Sequence, residues 1–144
     1  MTADSRSADR PGDRIAAAAL ALVGTRFRLH GRDPAHGLDC IGLAVAALQG
    51  AGFAACAPRG YRLRNRDIAG HLGCAARSGL APAWGEPQPG DVLLVQPGPL
   101  QQHLLIAVSA NRFVHAHAGL GRVTCLAGPL QEPVLRHWRI DRKD

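Results

Sequence analysis

The chain has 144 residues, 47% of them hydrophobic, which is enough for one domain built around one core. Seventeen Lys and Arg against eleven Asp and Glu give a formal charge of +6, which favours acidic partners such as nucleic acid, an anionic membrane surface or bacterial wall polymers. No run of about 18 apolar residues is present, which excludes a membrane-spanning helix. The polar N-terminus lacks the pattern of a secretory signal, so we expect synthesis in the cytoplasm.

The N-terminal part of the chain predicts helices. We predict that residues 1–12 form a disordered arm and that residues 13–144 form a single domain. Asp13 is a candidate N-cap for a first helix that ends before Gly24. Residues 24–38 contain several Gly and Pro, so they are predicted to be a loop that leads into the next helix.

The most informative stretch follows this loop. Asp39 is a good N-cap, and the residues after it form an apolar helical run that Gly50 ends. Cys40 then lies in the first turn of the helix. Free backbone N–H groups and the positive end of the helix dipole favour a thiolate at this position. We therefore predict that Cys40 is a nucleophile, although a cysteine in an Ala-rich helix is more often a small core residue.

The rest of the chain predicts one more helix and then strands. The helix is expected at residues 67–77, with Gly79 ending it. Short apolar runs after Pro87, separated by Gly, Pro and Asn, are typical of strands. The five predicted strands are 91–95, 103–108, 112–118, 122–126 and 134–140. Helices followed by strands indicate an α+β fold with an antiparallel sheet of about five or six strands.

A cysteine nucleophile needs a base, and the base needs a third polar group to orient it. Among seven histidines, His103 begins an apolar strand directly after a Pro- and Gly-rich loop, where it can face a cleft. His115 lies in the next strand. Cys40, His103 and His115 are thus an ordered set of nucleophile, base and orienting residue.

The turn between these two strands decides whether the histidines meet. His103 faces His115 directly only if the turn is centred on Ser109. A two-residue turn at residues 110–111 would instead place the histidines on opposite faces, unless a bulge corrected the register. The sequence leaves both turns open.

The four cysteines do not have the spacing of a metal site. Cys40, Cys56, Cys74 and Cys125 include no CxxC pair, so we predict neither metal nor cofactor, and a zinc site built from Cys and His is the less favoured alternative. In a chain without a secretory signal the default is reduced thiols, and we expect the three other than Cys40 to be small apolar core residues.

Taken together, these pieces resemble the NlpC/P60 cysteine peptidases, in particular their phage-associated branch. The resemblance covers about residues 13–140. The matching segments are GTRF at 24–27, GLDCIGL at 37–43, PGDVL at 89–93, HLLI at 103–106 and RFVHA at 112–116. The segment that contains Asp39-Cys40, followed by the two later segments with Pro-Gly-Asp and His, is the specific part of the match.

The resemblance implies a papain-like core in which the nucleophile helix packs on an antiparallel sheet. It implies hydrolysis of peptidoglycan stem peptides, commonly at the bond between γ-D-glutamyl and a diamino acid. Cys40 would be the nucleophile, His103 the general base and then acid, and His115 the orienting group. The Cys40 backbone N–H would help to hold the oxyanion, and Asp39 would contact a substrate amine.

The same resemblance implies where the enzyme works. The phage-associated branch suggests a phage tail or phage-like particle that carries the protein to the cell wall, with tail proteins as partners. Two positions depart from the common pattern of the family, because Phe27 stands where many members have tyrosine and Ile41 stands where many have serine. Phe27 cannot donate the hydrogen bond of a tyrosine hydroxyl.

Parts of the sequence are also compatible with other function classes. A catalytically inactive tail or wall-binding protein would keep the fold and lose turnover, and the departure at Phe27 motivates that alternative. An acyltransferase would differ only in the nucleophile that resolves the acyl-enzyme. A nucleic-acid-binding module is suggested by the charge and by the Arg residues between 59 and 66, but aromatics are only 4% of the chain and no recognition motif is visible.

Overall fold

The structure, a computed structural model, describes residues 10–56, 68–98 and 101–141. In these ranges the helices are α1 (Pro11–Ala21), α2 (Cys40–Gly50) and α3 (Ile68–Arg77). The strands are β1 (Arg32–Asp33), β2 (Gly37–Leu38), β3 (Leu80–Pro82), β4 (Val92–Val95), β5 (His103–Ser109), β6 (Arg112–His117), β7 (Arg122–Ala127) and β8 (Val134–Ile140).

Six of these strands form one antiparallel sheet in the order β3-β8-β4-β5-β6-β7. Strands β1 and β2 form a separate two-stranded antiparallel sheet. Helices precede the main sheet, and each of the five predicted strands is found within one residue of its expected bounds. The predicted α+β class with a sheet of five or six strands is confirmed.

The first helix begins earlier than predicted. Helix α1 starts at Pro11, where the fixed φ of proline suits the first helical position, and Arg10 is the N-cap without a side-chain capping bond. Asp13 was therefore wrong as the N-cap, and it lies in the first helical turn. Residues 1–9 of the predicted arm lie outside the described residues.

Two short pieces of β structure were not predicted. The expected loop 24–38 contains β1 and β2, and the short strand β3 pairs with β8 at the edge of the main sheet. Runs of two or three residues carry too little alternation to be seen in a sequence. The pair β1–β2 matters because it lies directly before Cys40.

The hairpin of β5 and β6 resolves the question of register. Ser109 pairs with Arg112 across the two-residue turn, but a shift between Ala107 and Ser109 changes the register to Ile106 opposite Val114. Continued to the start of β5, the second register sets His103 diagonal to His115 on one face of the sheet. The bulge that the tight turn required is therefore present.

The core lies on both faces of the sheet because side chains of a strand alternate. In β4, Val92 and Leu94 face α1 and α2 and pack with Ile15 and Leu43, whereas Leu93 and Val95 face the other way. Phe113 joins the second cluster and is 1% exposed. Burial of such a side chain contributes about 1.5–3 kcal/mol.

The Pro-Gly-Asp segment is an anchor for the sheet. Gly90 has φ +87, and a Cβ there would collide with the Gly12 backbone at the start of α1. The next residue, Asp91, is fully buried, and its carboxylate accepts hydrogen bonds from His137 Nε2 (2.6 Å) and from Arg139 Nε and Nη2 (both 2.9 Å). The sequence match at 89–93 therefore has a structural cause in this chain.

Among the described residues, no helix combines the length and the apolar character that crossing a membrane requires.

Candidate active site

The start of α2 is built around a buried carboxylate. Asp39 is the N-cap, and its Oδ1 accepts a 2.8 Å hydrogen bond from Gly42 N, as the sequence predicted. Its Oδ2 accepts a second hydrogen bond from His30 N (2.8 Å), and Arg32 Nη1 lies 3.3 Å from Oδ1. One side chain thus holds the helix start against the segment that carries β1, and Cys40 follows it.

The glycine of the Asp-Cys-x-Gly motif is required by a close backbone approach. A Cβ at Gly42 would collide with the carbonyl oxygen of Gly31. Gly31 itself lies against the carbonyl of Gly37 in the same way. The first turn of α2 therefore packs directly on the main chain before it, and this contact fixes the position of Cys40.

Strands β5 and β6 supply the two predicted histidines. His103 is the first residue of β5 and His115 lies within β6. His103 Nε2 and His115 Nδ1 are joined by a hydrogen bond of 3.3 Å. The two rings meet edge to face, with centroids 5.4 Å apart and planes at 77°. The structure therefore brings the predicted base and the predicted orienting residue into direct contact.

Cys40, His103 and His115 line one cavity of ≈ 640 Å³. A volume of this size fits the usual range of ligand pockets, about 300–1,000 Å³. The remaining lining residues that the structure describes are Phe27, Pro97, Gln101, Gln102, Ala116, His117, Ala118, Gly119, Leu120, Thr124, Cys125, Leu126 and Glu132. All three predicted catalytic residues therefore face the same space.

Phe27 reaches this cavity through main-chain pairing. Its N–H donates to Gly121 O (2.8 Å), next to β7, and Phe27 forms a bridge with Leu38 on β2. The segment around Phe27 thus lies between the edge strand β7 and the residues that precede Cys40. The side chain is half-buried and packs against the core.

The protonation of Cys40 differs from the prediction. Burial raises the pKa of the Cys40 thiol to about 12, and the negative charge of Asp39 also raises it. Hydrogen bonds from the backbone N–H groups of Leu104, Ile41 and Cys40 lower the pKa, but they do not balance the loss of solvent. The helix start lowers the pKa as expected, but it does not make Cys40 a thiolate, because the residue is only 8% exposed and the loss of solvent has the larger effect.

The histidines are held neutral for the same reason. Burial lowers the pKa of His103 to about 4, with further lowering from His115 and His117 and an opposing effect from Asp39. Burial, followed by the charge of His117, also lowers the pKa of His115. At neutral pH the site therefore contains a thiol and a neutral imidazole, which can act as a base.

Two residues of the cavity were not singled out in the sequence. His117 extends the cluster, since its ring centroid lies 5.3 Å from that of His115 and its Nδ1 accepts from Leu120 N (3.0 Å). Gln102 precedes His103, and its Oε1 is buried with no hydrogen-bond partner among the described residues. The two-residue spacing of His115 and His117 on a strand placed both on one face, whereas nothing in the sequence marked Gln102.

The role predicted for Asp39 toward a substrate amine stays a prediction. Its side chain is fully buried and hydrogen-bonded to protein groups. As for metals, no group of three or more His, Cys, Asp or Glu side chains within the described ranges could hold an ion.

Comparison with solved structures identifies the architecture. The chain superimposes on NlpC2 from Trichomonas vaginalis with a TM-score of 0.68 and 19% identity, over 92% of this chain and 47% of that one. It superimposes on the peptidoglycan hydrolase RipB from Mycobacterium tuberculosis with a TM-score of 0.61 and 21% identity, over 96% and 69%. The chain has the NlpC/P60 fold.

A third match is with a domain of similar size. The NlpC/p60 domain of the peptidoglycan hydrolase SagA is 26% identical, with a TM-score of 0.55, over 81% of this chain and 88% of that domain. By contrast, the chain spans less than half the length of NlpC2. No protein-family model and no curated protein matches the sequence.

Proposed function

We propose that the protein is a cysteine peptidase that hydrolyses peptidoglycan stem peptides. The observation that carries the proposal is that Cys40, His103 and His115 line one cavity, with His103 Nε2 bonded to His115 Nδ1. The NlpC/P60 fold supports it, because the neighbours SagA and RipB are peptidoglycan hydrolases. The formal charge of +6 suits a substrate rich in carboxylates.

Acylation begins from the neutral pair. In the tautomer that this mechanism requires, His103 Nε2 carries the proton and donates it to His115 Nδ1. His103 Nδ1 is then the nitrogen that accepts the proton of Cys40. As the proton leaves, Cys40 Sγ attacks the peptide carbonyl and forms the new S–C bond. A base that transfers the proton during attack overcomes the high pKa of the thiol, and such catalysis typically contributes about 10²–10⁴-fold.

The tetrahedral intermediate then collapses. The Cys40 backbone N–H lies at the helix start, where it has no intrahelical partner, and it donates to the oxyanion. The C–N bond breaks, and the leaving amine takes the proton back from His103. Water, deprotonated by His103, next attacks the thioester and releases the acid product together with the Cys40 thiol. His115 keeps the His103 ring in the working orientation throughout.

The cavity also supports an assignment of substrate contacts. The buried Gln102 Oε1 has no partner among the described residues, so it accepts an N–H of the stem peptide beside the reacting carbonyl. We place the scissile bond between γ-D-glutamyl and a diamino acid. Phe27 gives this cavity an apolar surface where many relatives have tyrosine. Ile41, where many relatives have serine, is buried and does not line the cavity. We take a phage tail or phage-like particle as the setting.

Release of muropeptides from purified sacculi tests the proposal. Cys40→Ala and His103→Ala should each reduce release by about 10³-fold or more, since either change removes a group that acts as part of one unit. Chromatography with mass spectrometry identifies the bond from the masses of the products. Two matched variants should keep activity, namely Cys56→Ser outside the cavity and His36→Ala, whose side chain is 70% exposed.

The outcomes separate the competing functions. Undiminished release by Cys40→Ala would contradict the mechanism. A wild-type protein that binds sacculi without releasing products would indicate the inactive wall-binding protein instead. The Arg residues between 59 and 66, on which a nucleic-acid-binding function depends, lie outside the described residues, and binding of a labelled duplex at low salt would be required for that alternative.

A further inference from the structure

Two cysteines outside the cavity lie next to each other. Cys56, in the segment after α2, has its Sγ 3.0 Å from Sγ of Cys74 in α3. No disulfide joins them, and all four cysteines of the chain are free. A disulfide bond is about 2.05 Å long, so an approach of about 1 Å separates this pair from a bond. The sequence placed the two thiols 18 residues apart without indicating that they meet.

The C-terminal end of α3 fixes Cys56 beside its partner. The backbone N–H of Cys56 donates to Ser78 Oγ (2.8 Å), and Ser78 is buried. The Arg77 guanidinium spans both sulfurs, with Nε 3.4 Å from Cys56 Sγ and Nη2 3.5 Å from Cys74 Sγ. A cation beside two thiols stabilises a thiolate, which is the attacking species in disulfide exchange.

We propose that Cys56 and Cys74 are a redox-reactive dithiol that forms an intramolecular disulfide by exchange with a low-molecular-weight disulfide such as oxidised glutathione. This site is independent of the peptidase proposal, because neither sulfur lines the cavity of Cys40 and His103. It departs from the expectation that these cysteines only fill the core.

The two thiols have different roles in the exchange. Cys56 is partly exposed, and its pKa is lowered by the hydrogen bond with Cys74 and by Arg77. Cys74 is buried, and its pKa is raised mainly by that burial. Cys56 is therefore the thiol that attacks the oxidant, and Cys74 is the thiol that resolves the mixed disulfide.

The exchange is balanced in two steps. The Cys56 thiolate attacks one sulfur of oxidised glutathione, whose S–S bond breaks and releases one glutathione thiolate, which takes a proton from solvent. Cys74 loses its proton to solvent and attacks Cys56 Sγ, which releases the second glutathione. Two protein thiols are oxidised and one glutathione disulfide is reduced. A small cavity of ≈ 40 Å³ that both cysteines line leaves room for the sulfurs to move.

Peptide mapping of the full chain after incubation with oxidised glutathione tests the proposal. Trypsin leaves Cys40 and Cys56 in one peptide, residues 33–59, and Cys74 in another, residues 67–77. The Cys40→Ala chain is therefore used, so that each peptide contains one cysteine. We expect the two peptides to be joined in a sample digested without reductant, and the count of free thiols to fall from three to one.

Thermal unfolding gives a second measurement. A cross-link between residues 56 and 74 should raise the Tm by about 5–10 °C relative to the reduced protein. Cys56→Ser should remove this oxidation-dependent rise, whereas the matched variant Cys125→Ser, at an exposed cysteine, should keep it. Glutathione retained on Cys56, a link from Cys74 to any other cysteine, or an unchanged thiol count would each overturn the proposal.

Discussion

Cys40 is the first residue of helix α2, Cys56 follows the end of that helix, and the pKa values of the two thiols are shifted in opposite directions. Cys40 begins the helix, is 8% exposed, and has a pKa raised to about 12 by burial. Cys56 follows the helix in a partly exposed segment, and its pKa is lowered by Cys74 and by Arg77. The cysteine in the position predicted to favour a thiolate is thus the less acidic of the two.

The difference between the two cysteines shows that loss of solvent has a larger effect on the pKa of Cys40 than the helix start has. Backbone N–H groups at a helix start do lower the pKa of Cys40, but removal of solvent raises it by more. At Cys56 the solvent remains and a full positive charge is adjacent. Cys40 therefore depends on a base during attack, whereas Cys56 is reactive through its own thiolate.

The largest effect is expected when His115, the residue that orients the base, is removed. His115→Ala breaks the 3.3 Å hydrogen bond to His103, and we expect kcat for muropeptide release to fall about 100-fold. Alkylation of Cys56 should stay unchanged, because no contact joins it to His115 in the described structure. His117→Ala is the matched variant and should lose less activity, so an equal loss would contradict the assigned role of His115.

Alkylation at different pH compares the two thiols directly. With a pKa of about 12, Cys40 is almost entirely thiol near neutral pH, and its rate should rise about tenfold per pH unit. The lowered pKa of Cys56 means that its thiolate forms at lower pH, so we expect it to react at least about tenfold faster near pH 7. Iodoacetamide labelling of residues 33–59 in Cys40→Ala and in Cys56→Ser reports each thiol alone. Faster labelling of Cys40 than of Cys56 near pH 7 would contradict this prediction.

The smallest effect is expected at Arg77. Arg77→Gln keeps a long polar side chain but removes the charge 3.4 Å from Cys56 Sγ, so alkylation of Cys56 near neutral pH should slow about threefold. The rate of Cys40 should not change. Arg77→Lys serves as the control, since it restores a charge, and an unchanged rate in Arg77→Gln would show that Cys74 alone lowers the pKa of Cys56.

Local features of the chain were predicted well because local chemistry decides them. The start of α2 follows from Asp39, whose carboxylate caps Gly42 N, and the strand of His103 follows from its apolar run. The acid–base state of Cys40 could not be predicted in the same way. It depends on burial under β5, including the Leu104 backbone, which lies far away in sequence.

The contacts between distant segments could not be predicted from the sequence. The contact of His103 with His115 requires the shift between Ala107 and Ser109, and two turn geometries were compatible with residues 109–111. The proximity of Cys56 and Cys74 is likewise a matter of how α3 packs, since neither residue has a distinctive neighbour in sequence. Side chains from distant segments meet only through the whole fold.

The contact of Gly42 with Gly31 has a consequence for engineering. A Cβ at Gly42 would meet the backbone of Gly31, and backbone atoms cannot move aside by changing a side-chain rotamer. A larger residue at position 42 is therefore not accommodated. A library that varies Phe27, which lines the cavity, can change the shape of the cavity while the nucleophile stays in place. A library that varies Gly42 displaces the first turn of α2 in nearly every member, and with it the distance from thiol to base, so this position is best left constant.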